Sequence, residues 1–165
     1  MATEHIHEDH HATAAFMTNH IVANLGVLNI KLHQYHWHIQ GPHFFTLHAK
    51  FEELYNEVNQ YFDAFAERLI ALGQNPYSTL EEFLEHTFIH EKTYDKKIAA
   101  DKMVENLVTD YRTIQDVAIK AIELAGKEED AVTEDLLIDY KDSIDSTIWM
   151  LQAYLGKDAQ DGEEE

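Results

Sequence analysis

Helix-breaking residues are scarce in this sequence, which leaves long stretches nearly free of them. Only two prolines and six glycines occur among 165 residues. Proline lacks the N–H group that a helix needs, and glycine loses the most conformational freedom when a helix forms. Four segments of roughly 23–29 residues, of which only the first is interrupted, by Gly26, place apolar residues at three- and four-residue steps, the period of an amphipathic helix. Because no segment alternates polar and apolar residues as a half-buried strand does, the sequence predicts an all-α protein.

Four long helices and one short helix are expected from these segments. Their predicted ranges are 12–40, 44–72, 80–89, 101–125 and 133–155. Glycines mark several of the ends, and Gly126 is the expected terminator of the third long helix. Two overlapping capping boxes, which start at Ser78 and Thr79, begin the short helix. Thr133 is the expected N-cap of the last helix.

The long connection between the second and third long helices decides the topology. At roughly 25 residues, it allows these two helices to run parallel, as in ferritin-like four-helix bundles. The bundle is expected at 12–156, between an N-terminal tail at 1–11 and an acidic C-terminal tail at 157–165. The N-terminal tail places four histidines among acids and is expected to be mobile. A second hypothesis is that these histidines bind divalent metals weakly.

Charge and composition exclude several classes of protein. The chain carries 31 Asp and Glu against 12 Lys and Arg, a formal charge of −19, and no cysteine. Lysine and arginine are what bind nucleic-acid phosphates and anionic membranes, so neither partner is expected. The lack of cysteine excludes disulfides and thiolate metal sites. An acidic surface concentrates cations, although solubility alone also explains the charge. A polar, acidic N-terminus and the lack of a membrane-length apolar run indicate a cytoplasmic protein.

Histidine and carboxylate side chains share one face of the second helix. His48, Glu52, Asp63 and Glu67 lie at helical angles of about 0°, 40°, 60° and 100°. They form two i,i+4 pairs, His48 with Glu52 and Asp63 with Glu67. On the first helix, His36 lies a few residues before the Gly-Pro turn, so antiparallel packing of the two helices would bring it close to His48. Imidazole nitrogen combined with carboxylate oxygen is a ligand set that suits Fe(II).

The two pairs are too far apart to form one metal centre within one chain. Fifteen residues separate His48 from Asp63, roughly 22 Å of helix, whereas metal–ligand bonds are about 2.0–2.2 Å long. A two-fold axis near residues 57–58 would bring Glu67 of one chain to His48 of the other, and Asp63 to Glu52. Such a dimer would contain two identical sites. The alternative is a solvated helix face, the usual role of a charged stripe.

Three segments resemble the Dps family, the miniferritins that include the DNA-binding proteins from starved cells. The segments are Lys31-Leu-His-Gln-Tyr-His36-Trp37, Gly41-Pro-His-Phe-Phe-Thr-Leu-His48-Ala-Lys-Phe-Glu52-Glu and Asp63-Ala-Phe-Ala-Glu67-Arg68. The resemblance extends over nearly the whole chain, as far as Ile148-Trp149-Met150 in the last helix. It implies a ferritin-like four-helix bundle that assembles into a hollow dodecamer of tetrahedral symmetry.

The resemblance also implies an activity and the residues that perform it. It implies oxidation of Fe(II), preferentially by hydrogen peroxide, at centres between two-fold partners, with the ferric mineral stored inside the shell. The implied iron ligands are His36, His48, Glu52, Asp63 and Glu67. Dioxygen as the oxidant, one or two irons per site, and Zn(II) as a competitor remain open. The alternative is a non-catalytic dodecameric shell, or a surface or immunomodulatory protein, with a vestigial metal site.

Other residues are assigned through the same resemblance. Trp37 is similar to the family's tryptophan beside the iron site, where it would intercept radicals, and a core aromatic is the alternative role. His33 is expected to have a structural role, and the alternative is that it accepts protons or binds metal as an auxiliary ligand. Candidates for an acidic three-fold pore are Asp130, Glu134, Asp135 and Asp139.

DNA binding is where the sequence departs from many family members. Those members bind DNA through a tail rich in lysine and arginine. Residues 1–11 contain neither, and residues 157–165 contain only Lys157. Direct DNA binding is therefore not expected near neutral pH.

Overall fold

Five helices make up the part of the chain that the computed structural model describes, residues 12–163. They are α1 (Ala14–His38), α2 (Phe44–Ala71), α3 (Leu80–His86), α4 (Ala100–Lys127) and α5 (Ala131–Tyr154). Helix α1 packs against α2 and α4, helix α4 packs against α5, and the short helix α3 lies against α1. No strand occurs in the described range. This confirms the predicted all-α, ferritin-like four-helix bundle with a short helix in its long connection.

The turn between α4 and α5 differs from the prediction at both helix ends that it joins. Helix α4 continues through Gly126, and the left-handed residue that ends it is Glu129, with φ of 58°. The N-cap of α5 is Asp130 and not Thr133, because the Asp130 side chain accepts a hydrogen bond from the Thr133 N–H. Arg68 of α2 donates to the same carboxylate at 2.9 Å. The ion pair therefore favours the aspartate as the cap.

Helix α1 is the most buried of the long helices, and most of its apolar residues lie in the core. Phe16 is an exception, since 42% of it is exposed and its ring contacts the edge of the His20 ring. Phe62 and Ile122 are only half-buried at the margin of the core. Helix α1 also ends at His38, two residues earlier than predicted, where Ile39 bonds back to the Tyr35 carbonyl.

A buried ion pair ties the long connection to the bundle. Lys31 of α1 and Asp110 of α4 lie 2.7 Å apart, and each side chain is only 7% exposed. The Lys31 ammonium also donates to the carbonyl of His90, which lies in the long connection, at 2.7 Å. One buried ammonium thus binds both α4 and the connection. Burial raises the pKa of Asp110 to about 6, despite the opposing attraction of Lys31.

The short helix α3 is capped as predicted and docks closely on α1. The Thr79 hydroxyl accepts from the Glu82 N–H, so Thr79 is the N-cap, and the Glu82 carboxylate accepts from the Ser78 N–H in place of the Thr79 N–H of a capping box. Phe83 packs on Gly26 so closely that an added Cβ there would lie 2.8 Å from the ring. A second contact comes from His20, whose Nδ1 donates to the His86 carbonyl at 2.9 Å.

The chain ends are described in part. The N-terminal tail expected at 1–11 lies outside the described residues, as do the last two residues of the C-terminal tail. The described part of the C-terminal tail is mostly exposed, yet Arg112 holds it against the bundle by donating to the carbonyls of Ala159 and Asp161. No helix within 12–163 combines the length and hydrophobicity that crossing a membrane would require.

Candidate metal centre

Two histidines hold the end of α1 against the start of α2. The His36 Nδ1 bonds to the His48 carbonyl oxygen at 2.6 Å, and the His48 Nδ1 bonds to the His36 carbonyl oxygen at 2.8 Å. The two rings are stacked, with centroids 3.6 Å apart and an interplanar angle of 13°. The carbonyl of His36 lies in the last turn of its helix, where carbonyls lack intrahelical partners. The predicted approach of His36 and His48 is confirmed.

These hydrogen bonds determine which nitrogen of each ring is available. A carbonyl oxygen can only accept, so Nδ1 of each neutral imidazole must carry the proton. The lone pair of each ring is then on Nε2, which takes part in no hydrogen bond within the described chain. A metal-binding histidine is commonly held in this way, with its other nitrogen donating to a carbonyl or carboxylate. His36 and His48 are therefore arranged as two nitrogen donors.

Aromatic side chains surround the pair. Phe44 stacks on His48 with centroids 4.9 Å apart, and Tyr55 meets His36 at 5.4 Å and 88°. His36 itself is only 8% exposed. The rings thus limit solvent access to the nitrogen donors from two sides.

One candidate carboxylate, that of Glu52, lies at this end of α2. Glu52, one turn after His48, is exposed and accepts a hydrogen bond from the Tyr55 hydroxyl at 3.3 Å. Burial and the charge of Glu52 raise the pKa of Tyr55, which keeps the hydroxyl protonated and able to donate. Sequence reasoning missed Tyr55, although its i,i+3 spacing from Glu52 and i,i+7 spacing from His48 place it on the same helix face.

The second carboxylate pair lies far from the first. Asp63 and Glu67 are both exposed on α2, which is a continuous helix from Phe44 to Ala71. Fifteen residues of that helix separate Asp63 from His48, roughly 22 Å. Within residues 12–163, no group of three or more histidines and carboxylates is close enough to hold a metal. One chain therefore places its candidate ligands in two separate half-sites, at the two ends of one helix face.

Trp37 and His33 belong to the last turns of α1, which also carry His36. Trp37 is 68% exposed, so it is not the core aromatic that was the alternative. Its ring contacts His33 at 5.4 Å, and His33 stacks on Tyr55 at 3.9 Å and 16°. The His33 Nδ1 bonds to the Asn29 carbonyl at 2.7 Å. These contacts match the structural role expected for His33.

The four acids near the start of α5 are not equivalent. Asp130 caps the helix and pairs with Arg68, so its carboxylate is already engaged. Asp139 accepts from the Tyr61 hydroxyl at 2.7 Å. Glu134 is half-buried beside the last turn of α4, and Asp135 is exposed. A pore lined by these residues remains a prediction, and Asp135 is the member whose side chain is the most available.

Comparison with known proteins places this geometry in a family. Residues 17–160 match the family model described as a ferritin-like domain. The "DNA protection during starvation protein" of Listeria innocua is 48% identical over 139 residues, which are 84% of this chain and 89% of that protein. The X-ray structure of Dps from Listeria monocytogenes superposes with a TM-score of 0.90 at 44% identity, covering 92% of this chain and 99% of that one. A structure of Listeria innocua Dps soaked with zinc gives a TM-score of 0.86 at 44% identity, over 90% and 99% of the two chains.

The match over most of the bundle defines a ferritin-like protein. Among ferritin-like proteins, the two Listeria relatives given first above align over 89% and 99% of their own length at 48% and 44% identity. The chain belongs to the Dps family.

Proposed function

We propose that this protein oxidises Fe(II) with hydrogen peroxide, or with dioxygen, and stores the ferric mineral inside a hollow homododecamer. The observation that supports this most directly is the histidine pair, in which both Nε2 nitrogens are left free by the Nδ1 hydrogen bonds and Glu52 follows one turn after His48 on α2. Such a set of nitrogen and oxygen donors suits Fe(II) and leaves positions open for an oxidant.

The site is proposed to be completed by a second subunit. A two-fold axis near residues 57–58 would place the partner subunit's Glu67 near His48 and the partner subunit's Asp63 near Glu52. The separation of the half-sites on α2 supports this arrangement, because neither half has enough ligands by itself. Each dimer would then contain two centres, and a dodecamer would contain twelve.

The proposed reaction consumes both reagents of Fenton chemistry. Two Fe(II) ions each lose one electron, the O–O bond of hydrogen peroxide breaks, two protons are taken up, and two water molecules form. Transfer of two electrons to one peroxide molecule avoids release of a hydroxyl radical. Iron is the substrate and the stored product here, and Zn(II), with which a structure of a relative was soaked, is a proposed competitor for the same donors.

The charge of the chain is consistent with this proposal. A formal charge of −19 attracts Fe(II) to the shell and disfavours contact with nucleic-acid phosphates. The relatives are named for DNA protection during starvation. In this protein, we propose that protection comes from removing iron and peroxide, without direct binding to DNA.

The test is anaerobic titration with Fe(II), followed by peroxide, with ferric absorbance as the measurement. His48→Asn is the informative variant, because the asparagine amide can still donate to the His36 carbonyl while the Nε2 donor is lost. Both His48→Asn and Asp63→Asn are expected to oxidise iron roughly 10-fold or more slowly. Glu53→Gln, which changes an exposed glutamate paired with Lys50 on the same helix, is the matched control and should keep the wild-type rate.

Two outcomes would contradict the proposal. Equal, slow oxidation by the wild type and both site variants would favour the non-catalytic shell or surface protein. A compact monomer in sedimentation velocity would exclude the inter-subunit site.

A further inference from the structure

Tyr55 lies at the junction of the two helices that carry the nitrogen donors. Its hydroxyl donates to Glu52 Oε1 at 3.3 Å, one face of its ring stacks on His33, and the ring is nearly perpendicular to His36. No other tyrosine in the described chain contacts both a histidine of the pair and the Glu52 carboxylate. The residue thus links a carboxylate on α2 to an imidazole on α1.

We propose that Tyr55 is a positioning residue for the iron site, which holds the Glu52 carboxylate and the His36 ring in the arrangement that binds a divalent metal. This inference rests on the proposed function of the same site. Tyr55 itself is not proposed to contact iron or to exchange electrons or protons with it.

The Glu52 side chain is the ligand that most needs such support. It is exposed, and a glutamate side chain loses much rotamer freedom when it is immobilised. The Tyr55 hydroxyl selects one arrangement by bonding to Oε1, which leaves Oε2 free for a cation. A carboxylate that is already oriented loses less freedom when the metal arrives, so its affinity for the metal is higher.

Tyr55 can orient Glu52 because its own ring is anchored. His33 covers one face of the ring at a centroid distance of 3.9 Å. The His33 Nδ1 is in turn bonded to the Asn29 carbonyl at 2.7 Å, which belongs to the rigid middle of α1. A chain of contacts therefore runs from the α1 backbone through His33 and Tyr55 to Glu52. Outer contacts of this kind change metal affinity by roughly 10- to 100-fold in other metal sites.

The same ring also restrains His36. The His48 ring lies parallel to His36 at 3.6 Å, and Tyr55 approaches it at 88° and 5.4 Å. With its Nδ1 bonded to the His48 carbonyl, His36 is restrained by a hydrogen bond and by neighbours in two directions. A smaller side chain at position 55 would remove one of these neighbours and allow the ring to tilt.

Two variants separate the hydroxyl from the ring. Tyr55→Phe removes the bond to Glu52 and keeps the stacking, whereas Tyr55→Leu removes both. The probe is Co(II), titrated anaerobically into the assembled protein by calorimetry, with the visible d–d absorption as a report of ligand geometry. Thermal unfolding of the metal-free protein shows whether the fold is intact.

We expect Tyr55→Phe to weaken Co(II) binding about 3- to 10-fold without changing the melting temperature of the metal-free protein. Tyr55→Leu should weaken it further and alter the d–d spectrum. Tyr61→Phe is the matched control, since Tyr61 lies on α2 as Tyr55 does, and the variant removes a shorter tyrosine–carboxylate bond, to Asp139 of α5. It should leave both Co(II) affinity and the spectrum unchanged.

The results distinguish this inference from the proposed function. If the wild type binds Co(II), His48→Asn does not, and Tyr55→Phe and Tyr55→Leu bind as the wild type does, the positioning role is wrong and the iron site stands. If the wild type neither binds Co(II) nor oxidises Fe(II), the proposed function fails and Tyr55 has no site to position. A spectrum altered equally by Tyr61→Phe would also overturn the inference, because the effect would then be general to α2.

Discussion

Replacing Lys31 with methionine is expected to destabilise the bundle strongly, in a manner that depends on pH. The methionine fills most of the lysine volume but leaves the Asp110 carboxylate, whose side chain is 7% exposed, without its cation. The His90 carbonyl loses its donor as well. Breaking a buried pair by removing one partner typically costs about 3–5 kcal/mol. For a domain of this length, that corresponds to a fall in Tm of roughly 6–20 °C.

The pH dependence follows from the buried carboxyl group. The pKa of Asp110 is already raised to about 6 by burial, and losing Lys31 raises it further. An acid whose pKa is higher in the folded state than in the unfolded state makes the fold less stable as pH rises between the two pKa values. The variant should therefore lose more stability at pH 8 than at pH 5, where Asp110 is protonated and needs no cation.

Thermal unfolding followed by circular dichroism at pH 5 and pH 8 measures both effects. Lys102→Met is the matched control, because Lys102 pairs with Glu105 at 3.6 Å on the surface and such pairs contribute about 0–1 kcal/mol. The double variant Lys31→Met/Asp110→Leu removes both charges and should recover much of the lost stability. The reasoning is refuted if Lys31→Met melts like Lys102→Met, or if the double variant melts no higher than the single one at pH 8.

Three further predictions concern the connection and the caps. Burial lowers the pKa of His20 below its ordinary value of 6.5, so the stability that the neutral ring contributes above pH 6.5 is lost as pH falls through the lowered pKa. His20→Asn keeps a hydrogen-bond donor but does not titrate, and it should flatten the dependence of Tm on pH between 5 and 7.5. Gly26→Ala places a Cβ 2.8 Å from the Phe83 ring and should lower the free energy of unfolding in urea by about 1–3 kcal/mol. An unchanged free energy would show that α3 moves away to make room. Asp130→Ala removes the α5 cap and should cost about 1–2 kcal/mol, whereas Asp130→Asn, which can still accept from Thr133, should cost less.

Most of the helical architecture could be predicted because the signals are local. The three- and four-residue apolar steps depend only on neighbouring residues, and they placed four long helices within a few residues of their ends. The α4–α5 turn was mispredicted because Asp130 and Thr133 are both good caps by residue type. What selects Asp130 is Arg68, which lies 62 residues earlier in the sequence, and a local pattern does not contain such a contact.

Part of the candidate site could also be predicted from the sequence. Helical spacing placed His48, Glu52, Asp63 and Glu67 on one face and showed that the pairs are too distant for one centre, because the rise of a helix is constant. The reciprocal bonds of the histidine pair depend on the conformation of the turn, which the sequence alone does not specify. Tyr55 was missed for a related reason, since its importance comes from contacts with His33 and His36 on a different helix.

The crossed hydrogen bonds between His36 and His48 have a consequence for the loop that joins their helices. They connect the end of α1 to the start of α2 through side chains. The two histidines therefore fix the distance between the helix ends, and residues 39–43 need only span that distance. Lengthening such a loop costs only about 0.6 kcal/mol per doubling of its length. Insertions there should alter stability slightly and leave the separation of the two Nε2 donors unchanged. The turn can thus change in length while the two rings preserve the spacing that it spans.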